Sequence, residues 1–164
     1  MTCDQAALTV GGPIGEEAME QAKELERLVQ RMAIAEQQVF TREVALFGLT
    51  VPQFVTLAAV EASSEEEASM GAIAGMVHQC SATMTGIIDR LEGMGLARRR
   101  ANPKDRRSFL VELTDAGEEK LEAVRAVRRR RLAYVLSGIG LDMRLRVYEV
   151  LLQYTQALET YPAD

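Results

Sequence analysis

Apolar residues recur at helical spacing along most of the chain, and only one region departs from that pattern. The first periodic run covers residues 16–47 without a Gly or Pro and stops before Gly48. Further runs predict helices at residues 51–62, 72–77, 115–136 and 142–161. Thr50 and Gln53 have the spacing of a capping box at the start of the second helix, and Ser69 is placed to cap the third. The chain is therefore predicted to be mainly helical.

A short helix with two contrasting faces follows a polar turn at residues 78–81. Its apolar face has residues three and four positions apart: Met84, Ile87, Ile88 and Leu91. Its other face carries Thr83, Gly86 and Arg90, which are free to contact something outside the protein. Gly93 and Gly95 are predicted to end this helix.

The region that departs from helical spacing comes next, as two strand-like runs at residues 96–101 and 108–113. The connection between them is Asn-Pro-Lys-Asp-Arg-Arg, which is typical of a hairpin turn. Two helices, a recognition-type helix and a basic hairpin together predict a winged helix-turn-helix, a module that binds duplex DNA. The expected fold class is mainly α, of the α+β type, with four helices, a two-stranded wing and two further helices.

The helices outside this module predict a second copy of the chain. The first helix and the last two have more apolar surface than a small winged module can cover, so we expect a partner with the same face. The expected divisions are a flexible tail (1–15), an N-terminal dimerisation helix (16–48), the winged helix-turn-helix (49–114) and C-terminal dimerisation helices (115–164). All four belong to one structural domain per protomer.

Asp105 and Arg107 are followed after five residues by Leu113 and Thr114, so the hairpin has the pattern Asp-x-Arg, five residues, Leu-Thr. This pattern is the wing signature of the MarR family of transcriptional regulators, which the sequence resembles over residues 49–121. Matching segments include Leu-Thr-Val-Pro-Gln-Phe from Leu49 and Thr-Asp-Ala-Gly from Thr114. The resemblance implies an intertwined homodimer whose two recognition helices lie about 34–36 Å apart on a near-palindromic operator.

Residue chemistry suggests how each part of the module contacts DNA. The positive end of the recognition helix, at Ser81 and Ala82, suits a phosphate or base edges. The hydroxyls of Thr83 and Thr85 suit bases or phosphates. Arg90 is long enough to contact phosphate, but it could equally pair with the neighbouring carboxylates at positions 89 and 92.

In the wing we expect Arg107 in the minor groove with its guanidinium held by Asp105, and the resemblance implies the same two roles. Lys104 and Arg106 are expected to contact phosphates, and Arg98 belongs to the basic strand. Gly86 stands where the family often has a long side chain, so either the backbone approaches DNA closely here or base reading is sparse.

The resemblance further implies a ligand-responsive repressor with a small aromatic or phenolic effector. The expected effector cleft lies between the dimer helices and the winged module. The candidate residues are Met32, Phe40, Phe47, Phe54 and Leu57. Each of them is an equally good core residue, so both interpretations remain open.

Charge distribution supports DNA binding although the net charge is −5. Residues 1–95 carry 5 basic and 14 acidic side chains, whereas residues 96–164 carry 14 and 10. Six of the ten residues at positions 98–107 are Arg or Lys. Local cations near phosphates determine DNA affinity, so the basic wing outweighs the acidic total.

Other functions have less support in the sequence. We expect a cytoplasmic protein, because no membrane span or secretory signal is visible and two cysteines, Cys3 and Cys80, suit a reducing compartment. No cofactor is expected, and His78 with Cys80 falls short of a metal-ligand set. One histidine and no phosphate loop argue against an enzyme. Two alternatives remain: a winged helix that contacts protein, and a thiol-based redox regulator acting through Cys80.

Overall fold

The computed structural model describes residues 15–63, 68–105 and 108–161, and within them it has the predicted order of elements. The elements are α1 (Glu16–Ala45), α2 (Val51–Ala62), α3 (Met70–Met76), α4 (Ser81–Gly93), β1 (Ala97–Ala101), β2 (Phe109–Leu113), α5 (Asp115–Ser137) and α6 (Leu141–Thr160). The mainly helical winged fold is confirmed. Apart from Gly15, the predicted N-terminal tail lies outside the described residues.

The two helix boundaries that differ from prediction by two residues do so for local reasons, and the others agree within one residue. Helix α1 ends at Ala45, because the chain turns through residues 46–48 and Gly48 adopts a φ of 73°. Helix α3 begins at Met70 instead of residue 72, because Ser69 is its N-cap and accepts a hydrogen bond from the Ala72 N–H at 3.2 Å. The capping box at the start of α2 is confirmed, since Thr50 and Gln53 exchange both side chain–backbone hydrogen bonds.

The structure divides into two units, of which one comprises residues 34–131 and contains the buried core. Side chains from the end of α1, from α2, α3 and α4, from the hairpin and from the first half of α5 fill it. The residues with essentially no exposed surface include Leu57, Ile73, Met84, Ile88, Leu91, Leu121 and Val124. Burial of side chains of this size stabilises the fold by about 1.5–3 kcal/mol each relative to exposure. This core fixes the positions of α4 and the hairpin.

The hairpin pairs β1 with β2 in antiparallel register, with Ala97 opposite Leu113 and Ala101 opposite Phe109. A third segment extends this pairing on the other side of β2. There the Val111 N–H donates to the Ala68 carbonyl at 2.8 Å, and Ser69 bridges Leu110. The wing is therefore connected by backbone hydrogen bonds to the residues that precede α3.

The junction between the hairpin and α5 depends on one glycine and one threonine. Thr114 Oγ1 donates to the Gly95 carbonyl at 2.6 Å and accepts from the Gly117 N–H at 3.1 Å. A Cβ at Gly117 would lie 2.1 Å from the Leu96 carbonyl oxygen, so a side chain at this position would overlap the backbone. Glycine is required here for close packing of α5 against the start of β1.

Three arginines of α5 fix this helix to α1 and α2 within the 34–131 unit. Arg125 makes a bidentate pair with Glu61 of α2 at 2.9 and 2.6 Å. The Arg128 guanidinium lies 4.5 Å from the centre of the Phe40 ring. Arg131 binds Glu36 at 2.7 and 2.9 Å and the buried Glu43 at 2.8 Å.

These pairs also set the direction of the pKa shifts in the unit. The hydrogen bond from Arg131 lowers the pKa of Glu36, and that from Arg125 lowers the pKa of Glu61. In return, Glu36 and Glu61 raise the pKa values of the two arginines. The charged form of each partner is therefore favoured in the folded chain.

The second unit comprises residues 1–33 and 132–164, and its described part contains the first half of α1, the end of α5 and α6. No residue of α6 is buried. Its apolar side chains are exposed to solvent, among them Leu141, Leu145, Tyr148, Val150, Leu151 and Leu158. None of the helices in the described ranges is both long enough and apolar enough to cross a membrane.

Candidate nucleic-acid interface

Helix α4 has one buried face and one exposed face, as its sequence predicts. Met84, Ile87, Ile88 and Leu91 are buried in the core of the 34–131 unit. The predicted contact residues on the helix are all exposed: Ser81, Ala82, Thr83, Thr85, Gly86 and Arg90. The exposed face is a continuous surface that a groove of DNA can receive.

The two threonine hydroxyls on this face already have partners within the helix. Thr83 Oγ1 lies 3.1 Å from Cys80 Sγ, and Thr85 Oγ1 donates to the Ser81 carbonyl at 3.0 Å. Because a hydroxyl has two acceptor lone pairs, each can still accept a hydrogen bond from a base amino group, and the methyl groups can contact thymine. The Thr83 hydroxyl lowers the pKa of the Cys80 thiol below its usual value.

Gly86 is not required by packing inside the protein. A Cβ built at this position meets no other atom within 4 Å, in contrast to the overlap at Gly117. A glycine in a helix interior is less favourable than alanine by about 1 kcal/mol. Of the two interpretations from the sequence, this open space is compatible with close approach by a molecule outside the chain.

The ion pairs near the end of α4 differ from those considered from the sequence. Asp89 and Glu92 are candidate partners for Arg90 by their spacing, but both bind Arg99 of β1. The Arg99 backbone N–H donates to Glu92 at 2.7 Å and its guanidinium donates to Asp89 at 2.7 Å and to Glu92. Within the described part of the chain, Arg90 makes no ion pair, and its side chain is available to a phosphate.

The other two arginines of β1 share one carboxylate. Arg98 Nε donates to Glu112 Oε2 at 2.9 Å, and Arg100 pairs with the other oxygen of Glu112. All three consecutive arginines therefore have acidic partners in the protein. The basic strand that the sequence indicated is largely neutralised at Arg98, Arg99 and Arg100.

The turn of the wing is held together by Asn102 and Ser108. The Asn102 side chain donates to Ser108 Oγ at 3.0 Å and accepts from the Lys104 N–H at 2.9 Å. The Asp105 carbonyl accepts from the Ser108 N–H at 3.0 Å. Lys104 and Asp105 are exposed. Arg106 and Arg107 lie outside the described residues, so their contacts with DNA and the pairing of Arg107 with Asp105 stay predictions.

Sequence reasoning did not single out Glu112 or the partners of Arg99. A signal for Glu112 was present, because residues two apart on a strand share a face and the hairpin register places Arg98 opposite Glu112. No comparable local signal existed for Arg99, since its partners lie on a helix and their approach depends on the packing of α4 against β1.

The five candidate effector residues have different environments. Phe54 and Leu57 belong to the buried core, where Phe54 packs edge-on against Phe40 with ring centres 5.3 Å apart. Phe40 and Phe47 pack at the margin of that core. Met32 is about half exposed and belongs to the other unit. For Phe54 and Leu57 the structure favours a packing role, and the effector site stays a prediction.

A recognition-type helix with an exposed polar face, followed by a two-stranded wing, defines a winged helix-turn-helix protein. No group of three His, Cys, Asp or Glu side chains in the described ranges is arranged to hold a metal ion. The sequence pattern that defines the MarR family matches residues 49–109.

Similarity to individual proteins also points to the MarR family. The chain is 33% identical over 113 residues to the HTH-type transcriptional repressor MdtR of Bacillus subtilis, covering 69% of this chain and 72% of MdtR. The structure of a MarR family protein from Bacillus stearothermophilus superimposes with a TM-score of 0.77 at 25% identity, covering 87% of this chain and 98% of that one.

A mutant of S. aureus MepR bound to an oligodeoxyribonucleotide has the same fold, with a TM-score of 0.64 at 18% identity over 82% of this chain and 97% of that one. This chain belongs to the MarR family. It is a transcriptional regulator of the helix-turn-helix type and not an enzyme, as its sequence predicted.

Proposed function

We propose that this regulator binds a near-palindromic operator in the cytoplasm as a homodimer and represses transcription until an effector binds. The observation that carries the proposal is the division of α4 into a buried apolar face and an exposed polar face. The exposed face contains Thr83, Thr85 and Arg90, whose side chains match base edges and phosphates.

The major-groove part of the proposal follows from the dimensions of the helix. An α-helix fits the major groove of B-DNA, and the N-terminal residues of a recognition helix are those that meet the base edges. Ser81, Ala82 and Thr83 occupy that end of α4. A MepR mutant of the same fold is bound to an oligodeoxyribonucleotide, which supports DNA binding by this fold.

The wing contributes a second set of contacts in this proposal. Lys104 is exposed at the turn, and Arg107 completes the family's wing signature beside Asp105. A guanidinium in the minor groove favours A·T-rich steps, because the groove is narrow and strongly negative there. Arg106 and Lys104 then neutralise phosphates on either side.

The homodimer is supported by the exposed apolar side of α6. Leu141 is 68% exposed, Leu145 55% and Leu151 49%, although a leucine side chain is stabilised by about 1.5–3 kcal/mol on full burial. A second copy of the chain supplies the same apolar surface and gives two recognition helices for two half-sites.

Repression and response to a small aromatic or phenolic effector rest on the family. MdtR, a relative with 33% identity, is a transcriptional repressor. Phe40 and Phe47, on the margin of the core, are the aromatic side chains best placed to meet such a ligand. Effector and operator must each weaken the binding of the other by the same factor, since binding free energies are linked.

The proposal is tested by selecting bound duplexes from random DNA. Binding of the protein to the selected duplex and to a scrambled duplex is then titrated at several salt concentrations. We expect a palindromic consensus and a tighter complex with the selected duplex. Arg90→Ala should reduce the magnitude of the salt slope by about one unit, the value for one phosphate contact. Arg27→Ala, which removes an exposed arginine from α1, is the matched control. Failure to select any sequence, with no salt-dependent binding, would favour a winged helix that contacts protein.

A thiol-based switch at Cys80 is the second candidate, favoured by the exposed position of the thiol and its lowered pKa. Oxidation of a thiolate at the start of α4 would place a bulkier group at the DNA-facing end of the helix. Peroxide should then weaken operator binding of the wild type and leave Cys80→Ser unaffected. Equal responses of the two proteins would contradict the switch.

A further inference from the structure

The face of the hairpin that carries Arg98 and Arg100 has one acidic side chain serving both. Arg98 lies directly opposite Glu112 in the register, and Arg100 follows two positions later on the same face of β1. Glu112 binds Arg98 through Oε2 at 2.9 Å and Arg100 through Oε1. Both carboxylate oxygens therefore have guanidinium partners.

Arg98 is much more exposed than Glu112 and Arg100, so it is the member of this cluster that a DNA phosphate meets first. The Arg98 side chain is 69% exposed, whereas that of Glu112 is 24% exposed. The Arg100 side chain is 31% exposed. Glu112 is thus the inner member of the cluster and Arg98 the outer one, so a phosphate reaching this face meets arginines already paired with a carboxylate.

Pairing with Glu112 lowers the net positive charge that the hairpin presents to a polyanion such as DNA. Two guanidinium groups and one carboxylate carry a net charge of +1 at this face instead of +2. Glu112 occupies the Nε–H of each arginine, so a phosphate that binds Arg98 or Arg100 has only the remaining guanidinium N–H groups, and the same carboxylate repels it as it approaches. Fewer released counterions then accompany DNA binding.

We infer that Glu112 is a positioning residue that withholds Arg98 and Arg100 from the DNA phosphates and so limits affinity for duplexes of any sequence. The inference rests on the proposed DNA-binding function and adds Glu112 as a residue that lowers the affinity for DNA. Sequence reading then depends more on α4 and the wing turn, because the sequence-independent contribution of the strand is kept small.

Glu112→Gln is the direct test, because it removes the charge and retains the size of the side chain. Binding to the selected operator and to a scrambled duplex is measured between about 50 and 200 mM salt. We expect tighter binding to both duplexes. For each arginine that newly binds a phosphate, the advantage over wild type should grow about twofold whenever the salt concentration is halved.

Three further variants separate released arginines from a general change in net charge. Glu119→Gln removes one charge from an exposed position of α5 and should leave the salt slope unchanged. Adding Arg98→Ala and Arg100→Ala to Glu112→Gln should abolish the increase in affinity. Arg98→Ala alone should scarcely change the salt slope, since Arg98 is held by Glu112 in the wild type. That last variant keeps the inference testable even where Glu112→Gln does not fold.

Three results would overturn the inference. One is weaker operator binding by a folded Glu112→Gln protein, which would mean that Glu112 aims the arginines at phosphates. Another is an unchanged salt slope in that variant, and a third is a wild-type slope that falls by a full unit in Arg98→Ala. Each leaves the proposed function standing if the wild type binds DNA. A wild type that binds neither duplex would overturn the proposed function and this inference with it.

Discussion

Replacing Arg131 by methionine should strongly destabilise the fold, because it leaves a buried carboxylate without its partner. The Glu43 side chain is 8% exposed and accepts from Arg131 Nε at 2.8 Å, and the same guanidinium binds Glu36. Methionine keeps much of the aliphatic volume of arginine, so the change removes the charge and the hydrogen bonds with little loss of packing.

The expected loss follows from the exposure of each partner. Breaking a buried ion pair by removing one side destabilises a protein by about 3–5 kcal/mol. Arg131 is 25% exposed, which places this site at the lower end, near about 3 kcal/mol. The Arg125–Glu61 pair is 35% and 39% exposed, so Arg125→Met should lose about 1 kcal/mol or less. Arg129, 62% exposed beside Glu122, should matter least.

Urea unfolding followed by circular dichroism measures this order directly. All variants are compared at one protein concentration, because the stability of an oligomer depends on concentration. Adding Glu43→Leu to Arg131→Met should restore most of the loss, since no buried charge then remains unpaired. Equal and small losses for Arg131→Met and Arg129→Met would refute the reasoning, because burial of the carboxylate would then have no measurable consequence.

Three other perturbations test separate parts of the structure. Gly117→Ala should destabilise the folded chain by about 3 kcal/mol, because the new Cβ overlaps backbone. Gly86→Ala should stabilise it by about 0.5–1 kcal/mol, because the new Cβ meets open space. Thermal unfolding that ranks the two variants in the reverse order would contradict the packing at both sites. Arginine hydrogen bonds hold the pKa values of Glu36 and Glu61 below 4.5. The two carboxylates should therefore contribute fully to the free energy of unfolding above that pH, and this contribution should fall as they are protonated below it. Urea unfolding that shows no loss of stability on acidification would contradict this. Leu151→Asp should weaken the proposed dimer, and an unchanged mass by light scattering at micromolar concentration would argue against α6 as its interface.

The helices and their caps could be predicted because their causes are local. Apolar spacing gave the buried face of α4, and the side chains at Thr50 and Ser69 marked two helix starts within a few residues. The exposed side of α4 followed from the same periodicity. The requirement for glycine at position 117 did not, because it comes from the Leu96 carbonyl, which is distant in sequence.

The acidic partners of the arginines were the part of the candidate site that could not be predicted from local sequence. A run of arginines has the same composition whether it faces solvent or carboxylates. Arg99 finds Asp89 and Glu92 only because β1 packs beside the end of α4, and Arg131 finds Glu43 across 88 positions of chain. Such pairs depend on tertiary approach. The charge count of a segment is therefore a weak guide to the cations that DNA can reach.

The attachment of Arg99 has a consequence for how operator preference can evolve. Its backbone and guanidinium bind Glu92 and Asp89, and the neighbouring Leu96 N–H donates to the Leu91 carbonyl at 2.9 Å, so β1 is tied to the last turn of α4. The exposed positions at the other end of α4, from Ser81 to Gly86, take no part in this attachment. In the proposed mode of binding, substitutions there exchange the preferred bases while β1 stays attached to the last turn of α4. On that proposal, a lineage acquires new target genes through a few surface changes and keeps the attachment between the hairpin and the recognition helix.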